Sequence, residues 1–222
     1  MGRDPTPEEI RKIAKRAIRA FSDLGYACCL FGSTACMMYG VERCPNDVDI
    51  IVFGHNLDPE HLKIELANED DDFYLAFARS RNANYKVVWF DLSSAADEPR
   101  RKCKVDILVP GILEIPNTPI KRIKHQRGML VLPILPLLLM KLKGWSDHIQ
   151  AKRPDLRAKR HVDVEDIAEL LRIACRRGTR IRSRSLRWLP LDFLEAAQER
   201  VLKYTRKFPE TSEQWMQLGF ET

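Results

Sequence analysis

Three aspartates sit where an ordinary fold would avoid them. Asp47 and Asp49 lie inside the apolar run DVDIIVF (47–53), and Asp106 lies inside CKVDILV (103–109). In a strand, residues two apart face the same side, so Asp47 and Asp49 point together while Val48 and Ile50 point the other way. Two like charges that close repel, and each ion costs roughly several kcal/mol to take out of water. A divalent cation removes the difficulty by supplying the opposing charge. If the two apolar runs are neighbouring strands, three carboxylates converge. Hard oxygen donors in that number, with room left for water and phosphate, suit Mg²⁺ or Mn²⁺.

Upstream, the run YACCLF (26–31) ends in Gly32-Ser33-Thr34. Gly32 has no side chain, so a ligand can approach its backbone closely. Ser33 and Thr34 begin a helix, whose free N–H groups attract anions, and Ser33 adds a hydroxyl donor. The pair Gly32-Ser33 can hold the terminal phosphates of a nucleotide beside the cation. A plain helix start would explain the same residues taken alone. The more heavily charged NEDDDF (68–73) has no apolar framing and reads as a solvated loop.

The elements that position these residues are legible in part. Thr6 is a good N-cap, Pro7 suits the first helical position, and Glu9 completes a capping box. Ile10, Ile13, Ala14, Ile18 and Phe21 then form one apolar face, and Gly25 closes the helix. Strands are predicted at 26–31, 47–53, 73–77, 85–92 and 103–109. Helices are predicted at 34–40 and at 58–68, the second with Asp58 as N-cap and Pro59 in its first turn. The strands 73–77 and 85–92 flank the polar RSRNAN (79–84), which predicts a hairpin. From about residue 130 the pattern is helical: 134–145, 146–152, 160–177, 191–207 and a short piece near 211–218. This order predicts an α+β fold: a mixed β-sheet core with helices, residues 1–115, and a C-terminal helical lobe, residues 116–222.

Bulk properties narrow the class. The chain has 222 residues, 45% hydrophobic and 31% charged, which describes a globular protein. The longest apolar run, MLVLPILPLLLM (129–140), is too short to span a bilayer and contains two prolines, so no membrane role is expected. Six cysteines, none in a CxxC pair, read as buried thiols of a reducing compartment: cytoplasm, or nucleus given the basic half. The net charge of +6 is uneven. Residues 1–112 hold 15 basic and 18 acidic side chains, and residues 113–222 hold 22 and 13. That distribution suits a polyanion site beside a cation site, or simply a solvated helical surface. RRGTRIRSRSLRW (176–188) has six arginines ending in Trp188, and IKRIKHQRG (120–128) is a second basic segment. The first reads either as a solvated loop or as a contact to the phosphates of RNA or DNA with Trp188 stacking, and if both segments line one cleft a tRNA-like acceptor is favoured over a small molecule. Trp89, Trp145 and Trp215 are expected in the core, and His125, His148 and His161 as ordinary polar residues.

Taken together, FGSTA, NDVDIIV and KVDILV resemble the polymerase-beta-like nucleotidyltransferase superfamily: apolar-Gly-Ser, a spacer, Asp-apolar-Asp-apolar, then a third framed acid on a later strand. Thirteen residues separate Ser33 from Asp47. The resemblance covers about residues 26–109. More loosely, LLLMKLKGWSDH (137–148) and KRHVDVEDIAELL (159–171) resemble the lysine helix and the Asp-x-x-Asp-Ile helix of small stand-alone members, including toxin–antitoxin and fungal ones. Two departures stand out. Pro45 occupies the place where Thr is usual, although Arg43 is kept, and Val162 replaces a basic residue.

The resemblance implies transfer of a nucleoside monophosphate from ATP or another NTP to a hydroxyl of RNA, protein or a small molecule. Asp47, Asp49 and Asp106 would be both the catalytic and the metal-binding residues. Gly32, Ser33, Thr34, Arg43 and Lys141 would bind the nucleotide. Asp163 and Asp166 would help fix the helical lobe against the site. A catalytically inactive relative that only binds nucleotide or nucleic acid is the alternative, and retention of all three acids counts against it.

Overall fold

The computed structural model describes residues 3–78, 85–93 and 101–222. Its described residues divide into two compact units. One comprises Met1–Met38 with Glu42–Val131, the other Tyr39–Val41 with Leu132–Thr222.

The first unit is built on a mixed seven-stranded sheet. In chain order its elements are α1 (Pro7–Asp23), β1 (Ala27–Phe31), α2 (Gly32–Tyr39), β2 (Asp47–Phe53), α3 (Pro59–Glu69), β3 (Phe73–Phe77), β4 (Lys86–Asp91), β5 (Lys102–Leu108), β6 (Lys124–Gln126) and β7 (Met129–Val131). The strand order is β3-β4-β5-β2-β1-β7-β6. Strand β1 runs antiparallel to β2, and β2 runs parallel to β5. The β3–β4 pair is antiparallel as expected; the expected turn at 79–84 lies outside the described residues.

Helix α1 starts as its sequence demands. The Thr6 hydroxyl accepts from the Glu9 N–H at 3.2 Å, and the Thr6 N–H donates to Glu9 Oε2 at 2.8 Å. Asp58 caps α3 by accepting from the Glu60 N–H. The two helices cover one face of the sheet. Ile10, Ile13, Ala14, Ala17 and Phe21 of α1, and Leu62 and Leu66 of α3, are buried there, as are Val48, Ile50, Val105, Ile107 and Phe90 of the strands. Lys12 and Arg16 of α1 lie over the Phe90 ring, which assigns α1 to that face. Each such aliphatic or aromatic side chain contributes about 1.5–3 kcal/mol on burial, so strand register here is strongly held.

Residues 116–131 belong with the sheet in this division, whereas the sequence pattern places the boundary after 115. Leu30 of β1 pairs in parallel with Val131, and β6 pairs back on β7. Arg127 and Gly128 connect β6 to β7 with φ of 50° and 78°, the two positive values that a type I′ hairpin turn requires.

The second unit is helical: α4 (Ile134–Gln150), α5 (Pro154–Ala158), α6 (Arg160–Arg176), α7 (Leu191–Lys207) and α8 (Ser212–Leu218). The sequence pattern divides 134–152 in two, but the chain forms one helix to Gln150. Trp145, Tyr204, Phe208 and Trp215 form an aromatic cluster, with Tyr204 edge-to-face to Trp145 and Trp215, its centroid 4.8 Å from that of Trp145, and tilted to Phe208. No described helix is long and apolar enough to cross a membrane.

Candidate active site

Strand register brings the acids together. Asp49 pairs with Asp106 across the parallel β2–β5 ladder, and Asp47 pairs with Lys104. Parallel partners face the same side, so Asp47, Asp49, Lys104 and Asp106 share one face, opposite α1 and α3. Their neighbours Val48, Ile50, Val105 and Ile107 anchor the strands from the buried side. Asp47, Asp49 and Asp106 are all half-exposed.

Gly32 lies against the same place. Phe31 pairs with Asp49, so the chain turns into α2 beside that carboxylate. A Cβ at residue 32 would stand 2.0 Å from Asp49 Oδ2, and the backbone there has φ of +54°. Glycine is required at this position on both counts. The two hydroxyls after it part company. Thr34 is fully buried, and its Oγ1 donates to the Asp47 carbonyl at 2.9 Å. It therefore ties the start of α2 to the start of β2. Ser33 stays half-exposed, with its Oγ accepting from Arg43 Nη2 at 2.6 Å. Serine and arginine are thus grouped at the glycine corner.

Lys104 was not anticipated, although K-V-D is the spacing that puts it on the face of Asp106. Its Nζ donates to Asp106 Oδ2 at 2.7 Å. Burial pulls its pKa down, but the hydrogen bond to Asp106 and the charges of Asp106, Asp47 and Asp49 outweigh it and hold the ammonium above its ordinary value. Among the described residues, no group of three His, Cys, Asp or Glu side chains is already gathered around one point as metal ligands. The donor set nevertheless fits a hard divalent cation in type: three carboxylates on one sheet face, one of them, Asp106, bonded to the Lys104 ammonium. For an ion to take Asp106 fully, Lys104 must turn aside, which its 39% exposed side chain permits.

Lys141, the remaining candidate, belongs to the helical unit. Its Nζ pairs with Asp166 Oδ2 at 2.7 Å, with side chains 13% and 1% exposed. Two turns further along α4, His148 Nδ1 meets Asp163 Oδ2 at 2.5 Å. Asp163 and Asp166 therefore bind α6 to α4 within the unit.

The remaining sequence features resolve as follows. All six arginines between 176 and 188 are exposed, and Arg177 lies 4.9 Å from the Tyr39 ring centroid. Trp188 is half-buried. Trp145 and Trp215 are core, whereas Trp89 lies half-exposed with Lys102 Nζ 4.0 Å from its ring centroid. In NEDDDF, Asp70 and Asp72 are not merely solvated: both pair with Arg16 of α1. The cysteines are unbridged thiols. Burial pushes Cys28 and Cys103 up to about 12, which removes them as thiolate ligands or nucleophiles at neutral pH.

No protein-family model matches the sequence, and no curated protein matches it. Solved structures do. An antigenic nucleotidyltransferase-like protein from Paracoccidioides brasiliensis aligns with a TM-score of 0.65 at 13% identity, over 97% of this chain and 95% of that one. JHP933 from Helicobacter pylori aligns with a TM-score of 0.54 at 13% identity, over 96% of this chain and 79% of that one. The sheet, the glycine corner and the acid-bearing strands thus belong to a chain with a nucleotidyltransferase-like fold.

Proposed function

We propose that this chain is a metal-dependent nucleotidyltransferase, moving a nucleoside monophosphate from an NTP to an acceptor hydroxyl and releasing pyrophosphate. The observation that carries it is the β2–β5 register, which pairs Asp49 with Asp106 and sets Asp47 on the same face.

In this assignment Asp47, Asp49 and Asp106 would hold Mg²⁺ or Mn²⁺, which would supply charge neutralisation for the triphosphate. The Gly32 backbone and the Ser33 hydroxyl face the terminal phosphates, with Arg43 adding positive charge next to Ser33. Thr34 positions rather than contacts, because its hydroxyl is engaged by the Asp47 carbonyl. The acceptor oxygen forms a bond to the α-phosphorus, and the bond from that phosphorus to the bridging oxygen breaks, sending its electron pair to pyrophosphate. The acceptor's proton passes to Asp106 or to water. Positioning and electrostatics supply most of the rate gain in such transfers. Lys141 would reach phosphate only on leaving Asp166.

One observation favours a second reading, nucleotide or nucleic-acid binding without catalysis: the Lys104 ammonium already neutralises Asp106. The discriminating experiment incubates the protein with each α-labelled NTP, Mg²⁺ or Mn²⁺, and total RNA. Label on RNA, on the protein or on a small molecule identifies transfer and its acceptor class. NTP binding with no label transferred under any metal would retire the catalytic assignment in favour of the second.

A further inference from the structure

The helical unit contains a cavity of about 450 Å³ that none of the nucleotidyl-transfer chemistry uses. Its volume lies within the roughly 300–1,000 Å³ typical of small-molecule sites. It opens at the junction of α5 and α6, against the end of α7.

Its lining divides sharply by chemistry. Of its two aromatic residues, Trp145 and Phe208, whose rings are tilted 60° to one another, the half-exposed Phe208 supplies the floor. Trp145 is 3% exposed and packs edge-to-face on Tyr204, so the ring surface open to a ligand is that of half-exposed Phe208, its centroid 4.7 Å from that of Tyr204. Arg157, Arg160 and Lys207 stand around the mouth, all three exposed. The Lys207 ammonium lies 5.8 Å from the Phe208 ring centroid. The Arg160 Nε–H donates to the Arg157 carbonyl at 2.9 Å, which holds one guanidinium at the helix junction. Beside these three cations stand one carboxylate, Glu165, and the exposed His161 imidazole.

The geometry points to a binding site for a nucleoside phosphate in the helical unit, separate from the three aspartates. A flat ring fits against the half-exposed Phe208 ring, the kind of aromatic face on which bases stack. A phosphate fits the Arg157, Arg160 and Lys207 mouth. Glu165 selects further: it repels a bare polyanion but accepts a hydrogen bond from a ribose hydroxyl or a base N–H. An aliphatic acid lacks the ring, and an inorganic polyphosphate lacks both ring and donor. The same chemistry is offered by a free nucleotide and by one residue of a single-stranded RNA. The inference does not depend on catalysis at Asp47, Asp49 and Asp106.

The test is calorimetric titration of the full chain with AMP, UMP, a ten-nucleotide single-stranded RNA and tripolyphosphate. It is run on the wild type, on Asp47→Asn/Asp49→Asn, and on Arg157→Gln/Arg160→Gln/Lys207→Gln. All three pocket positions are exposed, so the last variant should fold; Phe208→Leu is the second probe of the floor. The site predicts nucleotide or RNA binding that survives the aspartate changes and weakens at least tenfold in both pocket variants. Mononucleotide binding as tight as the RNA assigns the site to free nucleotide. RNA binding at least tenfold tighter assigns it to a nucleotide within a chain. Binding unchanged in the pocket variants, tripolyphosphate binding as tightly as nucleotide, or no binding by either ligand would overturn the proposal. Absence of label transfer by the wild type under any metal, with nucleotide binding at the pocket intact, would strike the catalytic assignment alone.

Discussion

The Asp49 carboxylate fills the space where residue 32 would carry a side chain: a Cβ there would lie 2.0 Å from Oδ2. One glycine thus sets how closely the start of α2 approaches the strand bearing the acids. Gly32→Ala should displace Asp49 and force an L-residue to φ +54°, a conformation costing about 1–2 kcal/mol. A misplacement of this kind should lower transfer about 100-fold. Urea unfolding and single-turnover assays measure the two effects, and wild-type transfer in Gly32→Ala would show that Asp49 needs no such seat.

Asp47→Asn and Asp49→Asn should abolish transfer while leaving the melting temperature equal or higher, because each removes one of two like charges on the same strand face. Thermal melts by circular dichroism accompany the assay. Near-normal turnover in either variant would remove these residues from the chemistry.

Lys104 and Asp106 compete for the same neutralisation as a divalent ion. With both side chains about one-third exposed, a pair of this kind is worth about 1 kcal/mol after screening. Lys104→Met should therefore tighten Mn²⁺ binding about fivefold, read by electron paramagnetic resonance in the absence of NTP. Unchanged or weaker Mn²⁺ binding would mean that the ammonium does not stand in the ion's way.

Glu9 ties the first helix to the strand region through Arg101, whose Nη1 and Nη2 donate to its two carboxylate oxygens at 2.8 and 2.9 Å. That hydrogen-bonded arginine, with Thr6 assisting against the cost of burial, lowers the Glu9 pKa from 4.5 to about 2. A carboxylate depressed on folding stabilises the native state above its unfolded pKa and loses that contribution as pH falls toward the folded value. Glu9→Gln should destabilise the protein at pH 7 by about 1.5–3 kcal/mol. The gap to wild type should shrink between pH 4.5 and pH 2. Denaturant melts across that range check it, and a gap that stays constant would place the Glu9 contribution elsewhere than in its charge.

Lys141 and Asp166 form a pair that is nearly sealed from water. Removing one partner of such a pair costs about 3–5 kcal/mol, while replacing both with apolar residues recovers much of it. Lys141→Met should be strongly destabilised, and Lys141→Met/Asp166→Leu should be more stable than the single variant. If Lys141→Met instead keeps its stability and raises KM for NTP, the lysine serves phosphate rather than the α4–α6 contact.

Local sequence spacing determined much of this protein. The alternation in DVDIIVF and CKVDILV put the acids on one side of their strands, and Thr6, Pro7 and Glu9 marked the first helix, because side-chain period and capping are properties of a few consecutive residues. The tertiary structure alone decided that Asp49 stands opposite Asp106, that Lys104 joins them, and that Lys141 is held by Asp166. It also decided that 134–150 is one helix and that 124–131 extends the sheet beside β1. These are pairings between segments tens of residues apart. They are chosen by which apolar faces can be buried together, a quantity that no local window of sequence contains.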